Sequence, residues 1–181
     1  MNEMIHPDAK VPIVKRKVIL KEPQAAKSEL EISGIPDNAI IIDCDKFKLA
    51  NVFFNNSKNE LQKADYIIIA VKDSNRHIVF IEMKSSNYPK KHEIVNQLRG
   101  ACCLVEYCKA IAINFWEVSD FLQEYKACYI GFITTSHKTK TKTIKESIHN
   151  NTPDKFSKMR GSYVEYNHLV GITQISDALM H

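Results

Sequence analysis

Residues 63–84, KADYIIIAVKDSNRHIVFIEMK, place two β-branched apolar runs on either side of the polar stretch KDSNRH. The runs read as neighbouring strands, and the Asp, Ser and Asn between them suit a tight hairpin turn. Alternation along a strand then puts Ile78, Phe80, Glu82 and Lys84 on one face and Val79, Ile81 and Met83 on the other. One face runs from apolar to charged. Because a hairpin reverses the chain, Asp65 at the start of the first run is expected beside Glu82 at the end of the second. An acid and a lysine at such a strand end are compatible with three things: a structural ion pair between Asp65 and Lys84, a solvated tip, or half of a catalytic site.

The remaining pattern supplies the setting. AIIIDCDKFKLA, after the turn residues GIPDN, reads as a strand. The first thirty or so residues suggest a short strand and a short helix or turn. From Lys90 the period changes: Ile94, Val95, Leu98, Ala101, Cys102, Val105 and Ala112 recur at helical spacing, with Pro89 in the first turn. NFWEVSDFLQEYKA extends the pattern as a second helix, and CYIGFITT reads as a buried strand. Residues 136–161 are rich in Lys, Thr, Ser and Asn and are expected to form a basic, mobile loop. SYVEYNHLVGI reads as a last strand and TQISDALM as a terminal helix. The order predicts an α/β fold in one domain, a mixed sheet flanked by helices spanning 39–181, with 1–38 packing on it as an extension.

A chain of 181 residues, 44% of them hydrophobic, can bury a real core, which excludes disorder throughout. The net charge of +4 is too small to argue nucleic-acid binding in bulk, so position must carry that case. Five cysteines, an odd number without a C-x-x-C pair, read as small hydrophobes of a reducing compartment rather than a disulfide frame or zinc site. The sequence shows neither a signal peptide nor a membrane span, and a cytoplasmic location is expected.

Two adjacent carboxylates repel each other away from water unless a cation lies between them, and hard oxygen donors suit Mg²⁺ or Mn²⁺. Lys84, on the face of Glu82, would stand next to that metal, where it could orient a water or help to deprotonate it for phosphodiester hydrolysis. An acid before one strand, E-x-K at the end of the next and a glutamine on the following helix together resemble the PD-(D/E)XK nuclease superfamily, the restriction-endonuclease-like fold. The matching residues are Asp65, Glu82, Lys84 and, in HEIVNQLRGA, Gln97, and the resemblance covers roughly 39–135. It implies that Asp65, Glu82 and the Met83 carbonyl bind the metal, that Lys84 is the catalytic lysine and that Gln97 supports the site. It also implies action on DNA rather than RNA, in bacterial defence, restriction or repair. The chain departs from the motif at Ala64, where the eponymous proline would stand, and has Ala101 where one subgroup carries a tyrosine. An upstream glutamate is frequent in the superfamily; Glu29, Glu31 and Glu60 are available, and Glu60 is named as the weak candidate.

Each of these residues also has an ordinary reading. Lys90, Lys91 and Arg99 could contact phosphate near a helix start or simply solvate a helix face, and His92 could act as an acid or base. Lys138, Lys140 and Lys142 have the character of a backbone clamp or of a solvated tether. The second functional reading is a catalytically inactive module of the same fold that binds nucleic acid or a partner protein of a multi-component system. A homo-oligomer is compatible with either.

Overall fold

In a computed structural model, which describes residues 3–22, 28–48, 54–85, 90–135, 137–145 and 150–171 (backbone alone at 144 and 145), nine strands and two helices follow one another. They are β1 (Lys17–Lys21), β2 (Glu29–Ser33), β3 (Ile40–Asp43), β4 (Tyr66–Lys72), β5 (Asn75–Lys84), α1 (Lys91–Trp116), β6 (Lys126–Thr134), β7 (Lys142–Lys145), β8 (Ser157–Gly161), β9 (Tyr163–Glu165) and α2 (Tyr166–Gly171). The main sheet has the order β3-β4-β5-β6-β8-β7, with β5, β6 and β8 parallel and the other pairs antiparallel. A second, mixed sheet has the order β1-β2-β9. The fold is mixed α/β.

The hairpin forms as expected, with Asp73 and Ser74 at its turn in the left-handed region (φ 48° and 65°). Both faces of β4 and β5 are apolar because both are covered. Ile68, Val79, Ile81, Phe132 and Met159 face the second sheet and its Leu20, Leu30 and Ile32. Ile67, Ile69, Ile78 and Phe80 face α1, which contributes Ile94, Leu98, Ala101 and Val105. Each of these side chains larger than alanine contributes roughly 1.5–3 kcal/mol when taken from water.

Several expectations need correction. The segment 136–161 is not one loop: β7 pairs with β8, and β8 pairs with β6 and buries Ser157, Met159 and Gly161. Composition hid this strand, because Lys158 and Arg160 occupy its alternate positions. The N-terminal region supplies two strands, β1 and β2, whereas its expected helix or turn falls largely on 23–27, outside the described residues. Helix α1 runs on to Trp116 and ends with Glu117 in the left-handed cap conformation, so 117–125 is a series of turns rather than a second helix. The last strand stops at Glu165, and α2 takes over. Pro89, position 136, residues 146–149 and the expected terminal helix lie outside the described residues. None of the five cysteines forms a disulfide; Cys44 and Cys128 are buried, and Cys103 is exposed.

Candidate active site

The hairpin register pairs Tyr66 with Ile81 and Ile67 with Phe80, so Asp65 stands opposite Glu82, one step beyond the last registered pair. Opposed residues share a face, here the α1 face. Glu82 is fully buried. The Met83 N–H donates to Asp65 Oδ2 at 2.6 Å, which locks the Asp65 carboxylate against β5. Lys84 Nζ lies 2.6 Å from Glu82 Oε1, although the approach does not satisfy either Glu82 oxygen as a well-directed hydrogen bond. The ion pair of this strand end therefore joins Lys84 to Glu82 rather than to Asp65.

Burial pushes the Asp65 carboxyl well above its ordinary value, against the Met83 N–H and the Lys84 charge, which pull it down. Glu82 is pushed up by burial and then by Asp65, with Lys84 opposing. The pair resists full ionisation. Partial burial acts to lower the pKa of Lys84, but its close contact with Glu82 and the charges of Glu82 and Asp65 outweigh this and raise it. Lys84 is thus held as an ammonium, a donor and positive charge rather than a base.

A third acid reaches this neighbourhood, and it is none of those singled out in the sequence. Glu22 follows β1, is buried, and has an Oε2 without a hydrogen-bond partner. Its charge acts on both Asp65 and Lys84. A short chain of contacts brings it there: the Glu22 N–H donates to the Ser28 carbonyl at 2.9 Å, Ser28 Oγ bonds Thr134 Oγ1, and Thr134 Oγ1 donates to the Lys84 carbonyl at 3.3 Å. The signal was present in the sequence. Val18, Leu20 and Glu22 repeat the pattern of Ile78, Phe80 and Glu82, an apolar strand face ending in an acid.

No family model, curated protein or solved structure matches the chain.

The other expected residues are more dispersed. Glu60 is exposed in the 54–64 segment, where its Oε2 accepts from the Lys58 N–H. Glu29 and Glu31 pair with Lys21 and Lys17 on the second sheet. Gln97 is half-buried on α1. Lys90, at the cap of α1, and Lys91 and His92 in its first turn are exposed. Arg99 is tied instead to Asp154 by contacts of 2.9 and 3.0 Å that pin α1 to the Pro153–Lys155 turn. Lys138, Lys140 and Lys142 are exposed. An apolar cavity of about 280 Å³ between α1 and the N-terminal segment, lined by Ile42, Phe47, Leu104 and Tyr107 among others, includes none of the acid pair.

Among the described residues, no three His, Cys, Asp or Glu side chains stand close enough to hold a metal ion together. Two buried carboxylates whose charges are poorly compensated nevertheless fit Mg²⁺, which commonly takes one or two protein carboxylates and keeps several waters. Also among the described residues, no helix is long and apolar enough to cross a membrane.

Proposed function

We propose that the chain is a metal-dependent nuclease with a PD-(D/E)XK-type site, hydrolysing phosphodiester bonds, with DNA as the expected substrate. The observation that carries this reading is the register that sets Asp65 directly opposite Glu82 on the face where Lys84 also stands. Asp65 and Glu82 would hold Mg²⁺ or Mn²⁺, with the Met83 carbonyl as a further oxygen and Glu22 close enough to add negative charge. Bound there, the cation supplies Lewis acidity toward a phosphoryl oxygen and offsets the charge that builds on it. Lys84, kept as an ammonium by Glu82 and Asp65, donates to a non-bridging phosphoryl oxygen and stabilises the same developing charge. Burial of Glu82 keeps competing water from its carboxylate and strengthens these interactions.

A second reading, the inactive binding module, is favoured by the closed 2.6 Å contact between Lys84 and Glu82, which can serve as a structural pair alone. The two separate on metal binding. A ligand that binds only the folded state raises the melting temperature, so Mg²⁺ or Mn²⁺ should raise that of the wild type, and Glu82→Gln should abolish the gain. A wild type indifferent to both metals, or a variant that responds like wild type, would exclude the metal site and leave the module.

A further inference from the structure

The register across the main sheet carries positive charge away from Lys84. Lys84 pairs with Ile133 on β6, Ile133 with Arg160 on β8, and Arg160 with Lys142 on β7. Residues paired across strands share a face, so Lys84, Arg160 and Lys142 form one row on the side of the acid pair. At about 4.8 Å per strand, Arg160 stands about 10 Å and Lys142 about 14 Å from Lys84. Arg160 and Lys142 are exposed, and the residue between them and Lys84 is the buried, uncharged Ile133.

The neighbouring row is built differently. Glu82 pairs with Gly131, and a Cβ at that glycine would meet the Phe156 ring at 2.7 Å and Ile94 Cδ1 at 3.3 Å. Phe156 and Ile94 therefore fill the space beside the acid and separate it from the half-buried Lys158, the next position of that row. The row of Lys84, one step further toward the strand ends, contains no acid and leads outward through cations to the sheet edge.

We propose that this row is a phosphate track, in which Arg160 and Lys142 hold the backbone phosphates of nucleic acid that flank the phosphodiester at Asp65, Glu82 and Lys84. The inference rests on the nuclease reading and deepens it by placing the path of the substrate. Arg160 offers a planar fork of donors and Lys142 a mobile point charge, both suited to phosphate oxygens and neither reading base sequence. The track is one residue wide, so it grips one strand. Single-stranded and duplex substrates thus share the same contacts.

The test is binding of a fluorescent single-stranded DNA and of its duplex as a function of salt, with Ca²⁺ replacing Mg²⁺, for wild type and for Arg160→Ala/Lys142→Ala. A control, Lys15→Ala/Lys72→Ala, removes two cations remote from the site, one in the turn before β1 and one at the hairpin end of β4. The track predicts that the slope of log affinity against log salt falls by about 0.7 per lost cation on the single strand and about 0.9 on the duplex, with no change in the control. Arg160→Lys/Lys142→Arg, which keeps both charges, should keep the wild-type slope and guards against a folding defect. Equal slopes for wild type and the double alanine variant would overturn the track, as would a loss confined to the duplex. So would a wild type that binds neither DNA. The nuclease reading stands or falls separately, on the metal-dependent melting temperature.

Discussion

Asp65 and Glu82 are buried where a charged carboxylate is costly, and the charge of Asp65 makes the ionisation of Glu82 harder still. Carboxyls whose folded pKa values are raised bind protons more tightly in the fold than in the unfolded chain. Their favourable contribution is complete below the ordinary carboxylate range near pH 4 and is lost as pH rises through the raised values. The metal-free protein should therefore melt at a lower temperature at pH 8 than at pH 5. Asp65→Asn keeps an oxygen for the Met83 N–H and leaves Glu82 to Lys84 alone, so it should flatten this pH dependence. At pH 8 it should gain on the order of 1 kcal/mol, or about 2–4 °C for a chain of this size. Parallel melting curves for the two proteins across that range would show that the acids do not burden one another.

At the scale of elements, α1 and the segment leading into β4 meet without room to spare. A Cβ at Gly100 would come within 1.6 Å of the Gln62 carbonyl oxygen and 3.2 Å of Lys63 Cα. The obstacle is backbone, so Gly100→Ala must displace 62–64 and carry Asp65 with it. Melting with and without Mg²⁺ should reveal a loss of at least about 2 kcal/mol together with a reduced metal response; a Gly100→Ala protein that melts and responds like wild type would refute the coupling. The hairpin and the facing of Asp65 with Glu82 were legible in the sequence because period-2 alternation and a turn between two apolar runs fix register locally. β8 was not, since SKMRG has only Met159 as a large apolar residue and its pairing comes from β6, more than twenty residues away. Glu22 was missed for a similar reason. Its strand face is readable, but its approach to Asp65 depends on how the second sheet lies on the first.

Across the whole molecule, two sheets and one long helix converge on a single strand end. The parallel strands β5, β6 and β8 all finish on the side of Lys84, and the link from Ser28 through Thr134 ties the second sheet to the same place. The Lys84→Met variant tests the central claim most directly, because it removes the ammonium while keeping an apolar stem at a position that is 24% exposed. The measurement is Mg²⁺-dependent nicking of plasmid and of single-stranded DNA by both proteins, with their melting curves alongside. The account predicts that wild type cuts and that Lys84→Met binds DNA yet cuts about 10²–10³-fold more slowly, because the lost contact belongs to the transition state. Equal cutting by both proteins, or no cutting by wild type on either substrate, would contradict it.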